Sequence, residues 1–226
     1  MQYGPKIVTN GLVLCLDAAD RNSYSGSGTS WIDLSGNGGD GTLTNGPTFN
    51  SGSGGNIIFD GINDYINCTT LNTALFSTEA SLVCWLKCNS NIPATLESGI
   101  FGFENTSLRS HYVWPVDVRG YFGTFRANRV GPITLSSINR TIPHMLAITT
   151  KGGGLWKLYQ NTTLVTSTAA EATVSIASGN RYIGTKNALD GYLFKGSIYS
   201  FALYNRELSV SELTQNYNTM KGRFDI

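Results

Sequence analysis

Acidic side chains gather in the N-terminal third of the chain, where their spacing could support metal chemistry. The segment Asp60-Gly61-Ile62-Asn63-Asp64 carries oxygen-bearing side chains at Asp60, Asn63 and Asp64, beside a glycine that permits a sharp turn. Hard cations such as Ca²⁺ prefer oxygen ligands of this kind. Asp and Asn also hold turns by accepting hydrogen bonds from loop amides. The three residues are therefore a candidate calcium site or a turn held by carboxylates, and no other cofactor is expected.

Glycoside hydrolysis would need a different arrangement of acids. Such enzymes place two carboxylates on either side of the scissile bond, roughly 5–10 Å apart. The glutamates have no acidic neighbour two residues away; they are Glu79, Glu97, Glu104, Glu171, Glu207 and Glu212. The histidines, His111 and His144, accompany no Gly-x-Ser-x-Gly nucleophile motif. These observations predict a protein without enzymatic activity, and glycoside hydrolysis is the weaker alternative.

Sugar binding is the better-supported chemistry. Aromatic rings stack on the C–H faces of sugars, while Asn, Asp and Arg side chains bond to the hydroxyls. Residues of these types in the central third form the candidate carbohydrate site: Tyr112, Trp114, Tyr121, Arg126 and Asn128. Aromatic residues and Arg are also enriched at protein interfaces. Packing within a sheet or a subunit contact would therefore account for the same residues.

The composition narrows the partners and the location. Charged residues make up 14% of the chain, against about 25% in an average soluble domain. The formal net charge is +1 and no run of Lys or Arg occurs, so no nucleic-acid partner is expected. No stretch approaches the ~18 apolar residues that a membrane span needs. The N-terminus shows no signal-peptide pattern, so we expect synthesis in a cytoplasm without export by the Sec route.

The cysteines indicate neither a metal site nor a disulfide framework. Cys15, Cys68, Cys84 and Cys88 include no Cys-x-x-Cys pair of the kind that binds zinc. Free thiols often behave as small apolar residues in cores. We expect four free, buried cysteines, with a disulfide as the alternative.

The elements that must position these residues are mostly strands. Residues 80–88 alternate with a period of two, as in a β-strand. Two short runs around Asn161-Thr162-Thr163 predict a β-hairpin. A long strand is predicted from Leu193 to Asn205, and the residues expected on one of its faces are Phe194, Ile198, Ser200, Ala202 and Tyr204.

One short helix is predicted near the C-terminus. Ser209-Val210-Ser211-Glu212 is a capping box, in which serine and glutamate satisfy each other's backbone amides. Leu213, Tyr217 and Met220 then recur at helical spacing and form one apolar face. Gly222 is a typical stop signal.

Two segments resemble those of a known family. The first comprises Gly11-Leu12-Val13-Leu14-Cys15-Leu16-Asp17, a Trp-x-Asp-x-Ser motif at Trp31-Ile32-Asp33-Leu34-Ser35, and Phe59-Asp60-Gly61-Ile62-Asn63-Asp64-Tyr65-Ile66. The second is Phe194-Lys195-Gly196-Ser197-Ile198-Tyr199-Ser200-Phe201-Ala202-Leu203-Tyr204-Asn205-Arg206-Glu207-Leu208-Ser209, followed by Glu212-Leu213. Together they resemble the LamG-like (concanavalin A-like lectin/glucanase) domains of tailed-phage virion proteins. The resemblance implies an all-β fold, a two-sheet antiparallel jelly-roll sandwich with one short C-terminal helix, over a single domain at 1–226.

The resemblance also implies a function. We expect a non-enzymatic structural protein of a phage virion, displayed on the particle as capsid decoration or as a fibre or tail component. Its partners would be other capsid or tail proteins and a host surface polysaccharide, and it would form a homotrimer. A carbohydrate-binding adhesin not tied to a virion is the main alternative. Because this fold hosts lectins, enzymes and structural modules, the function has to be inferred from the site rather than from the fold.

Overall fold

The computed structural model describes most of the chain, with gaps. The described residues are 6–52, 54–71, 79–89, 98–103, 112–113, 142–151, 155–169, 181–185 and 193–226. Among them no helix is long and apolar enough to cross a membrane.

Strands dominate the described part of the chain. In chain order they are β1 (Leu12–Asp17), β2 (Ser30–Trp31), β3 (Gly41–Thr44), β4 (Thr48–Asn50), β5 (Asn56–Asp60), β6 (Tyr65–Asn67), β7 (Ala80–Cys88), β8 (Ser98–Gly99), β9 (Phe101–Phe103), β10 (Tyr112–Val113), β11 (His144–Thr150), β12 (Leu155–Gln160), β13 (Thr163–Ala169), β14 (Arg181–Ile183) and β15 (Lys195–Tyr204). Helix α1 (Val210–Met220) follows and ends in a 3₁₀ turn at Lys221–Arg223.

The strands form two large antiparallel sheets. The eight-stranded sheet has the order β13-β12-β11-β7-β15-β5-β4, with β1 also pairing with β15. The five-stranded sheet has the order β2-β3-β6-β14-β9, and β8 pairs with β10 separately. All the described strand pairs are antiparallel. The predicted all-β, two-sheet architecture is confirmed.

A first hydrophobic core fills the space between the two sheets. Alternate residues of each strand point into it, as the period-two pattern requires. Its largest fully buried side chains come from both sheets: Trp31, Phe59, Phe194, Phe201, Leu14, Leu16, Ile57 and Ile66. Trp31, the first residue of the Trp-x-Asp-x-Ser motif, is fully buried.

A second hydrophobic cluster covers the outer face of the eight-stranded sheet. Val83 and Trp85 of β7 pack there with Leu213 and Met220 of α1. The Trp85 ring stacks on that of Tyr217, with centroids 5.4 Å apart. The central strands of the large sheet are therefore buried on both faces, and this explains why every residue of β11 is buried.

Helix α1 begins where the capping box predicts. The Ser209 hydroxyl accepts a hydrogen bond from the Glu212 amide at 3.3 Å, and the Glu212 carboxylate accepts one from the Ser209 amide at 2.9 Å. Leu213 and Met220 are buried as expected, while Tyr217 is half-buried. The helix ends at Met220, two residues before Gly222.

The prediction for the long strand β15 is partly wrong. The register with β7 shifts between Ile198 and Ser200, which is a β-bulge. Phe194 and Ile198 therefore face the core between the sheets, whereas Ala202 and Tyr204 face the helix. An extra residue inverts the alternation beyond it, because side chains change face at every residue.

Cys15, Cys68, Cys84 and Cys88 are buried thiols that form no disulfide, as predicted. Burial raises the pKa of Cys68 to about 12, which keeps this thiol protonated and unreactive near neutral pH. His144 is also buried at the start of β11, and burial lowers its pKa. These groups belong to the packing of the sandwich.

Candidate functional site

The outer face of the five-stranded sheet carries a continuous row of polar and aromatic residues. Ser30 lies opposite Thr42, Thr42 opposite Asn67, Asn67 opposite Tyr182, and Tyr182 opposite Gly102. This row, here named the polar row, crosses all five strands at one level. Its strand neighbours point the other way, into the core between the sheets: Trp31, Leu43, Ile66, Ile183 and Phe101.

Two residues further along β3 and β6, the same face carries an aromatic ring. Thr44 lies opposite Tyr65 on the adjacent strand. The Tyr65 ring meets the Tyr182 ring edge to face, with centroids 5.4 Å apart and an interplanar angle of 90°. Thr42 is exposed, Thr44 and Tyr65 are half-buried, and Tyr182 is buried. The accessible part therefore combines threonine hydroxyls with the edge of an aromatic pair.

The chemistry of the polar row suits a hydroxyl-rich ligand. A hydroxyl both donates and accepts hydrogen bonds, and an amide offers one acceptor and two donor positions. The side-chain oxygen of Asn67 is covered and accepts no hydrogen bond. Tyr182 and Gly102, at the far end of the row, are buried, so its accessible part is Ser30 and Thr42 with the half-buried Asn67.

The sequence-predicted carbohydrate residues lie mostly outside the described residues. Only the backbone of Tyr112 is described, in β10 opposite Gly99. Trp114, Tyr121, Arg126 and Asn128 fall outside the described ranges, so this site stays a prediction. Sequence reasoning missed the polar row, whose signal was the alternation of Thr, Asn and Tyr with buried residues in the short strands β3 and β6.

The candidate calcium residues form a tight turn after β5. The Asp60 carboxylate accepts hydrogen bonds from the amides of Ile62 at 2.7 Å and Asn63 at 3.4 Å. The Asp64 carboxylate accepts one from the Asp60 amide at 2.9 Å, and burial raises its pKa. Across the described residues, no three His, Cys, Asp or Glu side chains are grouped to hold a metal. The carboxylates of Asp60 and Asp64 hold the turn, and calcium binding by Asp60, Asn63 and Asp64 stays a prediction.

Asp33 explains the Trp-x-Asp-x-Ser motif. Its carboxylate accepts hydrogen bonds from the amides of Cys15 and Ser35, both at 2.8 Å, and of Gly39 at 3.0 Å. The Ser35 hydroxyl donates a further bond to it at 2.7 Å. Because Asp33 is buried and fully bonded, it fastens the loop before β3 to β1 rather than meeting a ligand.

A cleft of about 1040 Å³ opens on the opposite side of the molecule. It lies between α1, the segment at residues 6–9 and the outer face of the eight-stranded sheet. Trp85 lines it, and the indole N–H of this buried residue has no hydrogen-bond acceptor. Asp17 and Arg223 close one end through two hydrogen bonds of 2.6 and 2.7 Å. This cleft separates packed elements, and Thr9, Ser200 and Thr219 are among the residues that line it.

Comparison with known proteins identifies the superfamily of this fold. The sequence profile of the concanavalin A-like lectin/glucanases superfamily matches residues 59–214, which is more than half of the chain. No curated protein matches the sequence significantly.

Several solved structures share the architecture. The chain is similar to the botulinum neurotoxin serotype D binding domain (16% identity, TM-score 0.72), covering 93% of this chain and 52% of that one. It is also similar to domain 4 of an extracellular arabinanase from Geobacillus stearothermophilus, in complex with arabinotriose (21% identity, TM-score 0.70), covering 90% and 96%. A third is the Trypanosoma rangeli sialidase with the inhibitor DANA (16%, TM-score 0.68), covering 96% and 34%. The chain thus spans about half of the toxin domain and a third of the sialidase, and at these identities the likeness establishes the fold alone.

Proposed function

The chain belongs to the concanavalin A-like lectin/glucanase superfamily, and from this membership we propose that it is a non-enzymatic, glycan-binding module. The observation that carries the proposal is the polar row with Tyr65 beside it. It places hydroxyl, amide and aromatic groups together on one sheet face, where Ser30 and Thr42 are exposed and Asn67 and Tyr65 are half-buried.

The geometry of this face supports an extended sugar ligand. Neighbouring strands lie about 4.8 Å apart, so Ser30, Thr42 and Asn67 on three adjacent strands offer a regular series of hydrogen-bonding groups. A saccharide chain presents hydroxyls along its length and C–H faces between them. Thr42 and Asn67 would bond to the hydroxyls, while Tyr65 would contact a C–H face.

Similar structures with bound sugars also support the proposal. The arabinanase domain was solved with arabinotriose. A botulinum neurotoxin serotype D ligand-binding domain, at 17% identity and a TM-score of 0.71, was solved with N-acetylneuraminic acid. The match covers 96% of the arabinanase domain and 51% of the toxin domain, so the arabinanase domain is the stronger support.

The roles of the described carboxylates argue against hydrolysis. Asp33, Asp60 and Asp64 accept backbone amides in turns. Glu207 and Glu212 form ion pairs with basic side chains at 2.8 and 2.6 Å. A hydrolase would need two carboxyl groups facing a shared substrate position, and these acids serve turns and ion pairs instead.

The test of glycan binding uses substitutions on the polar row. Tyr65→Ala and Thr42→Ala should each weaken binding to a glycan array or polysaccharide, whereas Tyr65→Phe should retain the ring contact. Thr48→Ala is the matched control, because Thr48 is an exposed strand threonine on the other sheet. Equal binding by all four variants would refute this site, and release of reducing ends from the polysaccharide would refute the non-enzymatic reading.

The biological setting that we propose is a tailed-phage particle. The chain would be made in the host cytoplasm and displayed as capsid decoration or as a fibre or tail component, in contact with other virion proteins. The resemblance of residues 11–66 and 194–213 to phage LamG-like domains supports this setting. Cryo-electron microscopy or immunogold labelling of purified particles tests it: density over the shell means decoration, density at the tail means an adhesin, and absence from particles refutes the setting.

A further inference from the structure

The floor of the cleft beside α1 consists mainly of small side chains. Ala202 on β15 lies opposite Cys15 on β1 and Val83 on β7, and Ser200 lies two residues away on the same strand. All four line the cleft on the outer face of the large sheet. Because these side chains are short, they leave the space above them unfilled. The resulting cleft of about 1040 Å³ has the size of a small-molecule site.

Apolar residues around this floor stay partly accessible to solvent. Ile7, Leu12 and Ala202 are half-buried, and Leu34 is 38% exposed. The cleft is therefore open to solvent rather than sealed as an internal packing defect. Contact between water and apolar surface is unfavourable, so an apolar ligand that displaces this water gains free energy on binding.

Two hydrogen-bond donors on the cleft wall lack a good acceptor. Trp85 is fully buried, and its indole N–H has no acceptor among the described residues. Ser200 lies opposite Trp85 in the sheet register, and its hydroxyl donates at 3.2 Å to the sulfur of Met220, which is a weak acceptor. Leaving a buried donor unpaired costs free energy. A ligand oxygen beside this pair would supply the acceptor that both donors lack.

The charged residues of the described lining favour an uncharged ligand. They are two bases and two acids: Lys6, Arg223, Asp17 and Asp20. Asp17 accepts two hydrogen bonds from Arg223, at 2.6 and 2.7 Å, and Asp20 accepts one from the Asn22 side-chain amide at 3.0 Å. Lys6 is exposed to solvent. An ionic head group would lose hydration in the cleft without meeting a buried charge that is free to pair with it.

From these observations we propose that the cleft binds an uncharged amphiphile, a straight alkyl chain that ends in a hydroxyl, ether or ester oxygen. The chain lies over Cys15 and Ala202, and its oxygen accepts hydrogen bonds from the Trp85 indole and the Ser200 hydroxyl. From Ser200 to Tyr204 the floor extends about 13 Å along β15, which suits a short alkyl chain. This site is separate from the polar row, which lies on the other sheet.

Isothermal titration calorimetry of the full chain with octan-1-ol, octanoate and octylammonium tests the proposal. The three probes have alkyl chains of equal length and differ in the charge of the head group. Octan-1-ol should bind at one site per chain, and the two charged probes should bind about tenfold more weakly or worse. Absence of octan-1-ol binding, or equal affinity for all three probes, would overturn the proposal.

Substitutions in the cleft locate the bound probe. Ala202→Leu should fill the floor and abolish octan-1-ol binding. Ser27→Leu is the matched control, because it adds the same side chain at an exposed loop serine, and it should leave the affinity unchanged. Unchanged affinity in Ala202→Leu would show that the probe binds elsewhere and would overturn the proposal.

A second substitution keeps the test decisive if Ala202→Leu does not fold. Trp85→Phe retains an aromatic ring but removes the N–H, so it should weaken octan-1-ol binding about fivefold. Circular dichroism confirms that each variant is folded. An affinity that Trp85→Phe leaves unchanged would contradict the proposed hydrogen bond. Because no sugar is present, all these outcomes are independent of the proposed glycan binding.

Discussion

Glu212→Gln is the substitution whose effect follows most directly from the structure. The Glu212 carboxylate accepts hydrogen bonds from Arg206 at 2.6 and 3.0 Å and from the Ser209 amide at 2.9 Å. Chiefly through Arg206, they lower the pKa of Glu212 from 4.5 to about 2. A group with a lowered pKa stabilises the folded state above its unfolded pKa and loses this contribution as the pH falls through the folded one. The effect should therefore vanish between about pH 4.5 and pH 2.

The size of the effect can be bounded. A difference of about 2.5 pKa units corresponds to at most about 3.4 kcal/mol. The Arg206 and Glu212 side chains are 24% and 28% exposed, so solvent screening reduces the expected value to about 1–2 kcal/mol. Glutamine can still serve in a capping box, and the variant therefore isolates the charge.

Urea unfolding followed by tryptophan fluorescence measures this contribution. The variant should be less stable than the wild type by about 1–2 kcal/mol at pH 7, and the gap should shrink as the pH approaches 2. Asp225→Asn is the control, because Asp225 is exposed and takes no part in the ion pairs of the described residues. A gap that is the same at pH 7 and pH 2.5 would refute the reasoning, as would no gap at pH 7.

Three further predictions concern the fold and the candidate sites. Gly184 and Gly36 have the same φ of +84°, but a Cβ at Gly184 would meet the Phe59 ring at 2.4 Å, whereas one at Gly36 would meet nothing within 4 Å. We therefore expect Gly184→Ala to lower the free energy of unfolding by about 2–4 kcal/mol and Gly36→Ala to lower it by about 1 kcal/mol, as measured by thermal unfolding. Asp64→Asn should destabilise by about 1–2 kcal/mol equally with and without Ca²⁺, whereas a calcium-dependent rise in Tm that this variant lacks would reveal a bound ion. Trp114→Ala should weaken polysaccharide binding if the central third holds the site, and unchanged affinity would leave the polar row as the binding surface.

The sequence predicted those features that depend on local patterns. The capping box at Ser209 fixed the start of α1, and the Asn161-Thr162 turn fixed the hairpin between β12 and β13. Asn161 has a φ of +55°, a conformation that Asn adopts more readily than most residues. Each of these depends on a few neighbouring residues, so no tertiary information was needed.

Features that depend on contacts between distant segments were not predictable in this way. The bulge in β15 reverses the faces of Ala202 and Tyr204, and nothing in the local alternation signals it. The polar row draws residues from five strands between Ser30 and Tyr182, brought together only by strand order. A functional row across a sheet is therefore visible in the register, whereas a row along one strand would be visible in the sequence.

The difference between the two sheets links this register to function. Nearly every residue of β7 and β11 is buried, because the first core fills the face toward the other sheet and the second cluster, which includes α1, covers the outer face. In β3 the burial alternates, with Leu43 inside and Thr42 exposed. A strand that is buried on both faces can only support the core, whereas a strand with one exposed face can contact a ligand there without disturbing the core. The central strands of the large sheet thus support the fold from both faces, whereas exposed positions on the five-stranded sheet, such as Thr42, can be substituted at little cost to the fold.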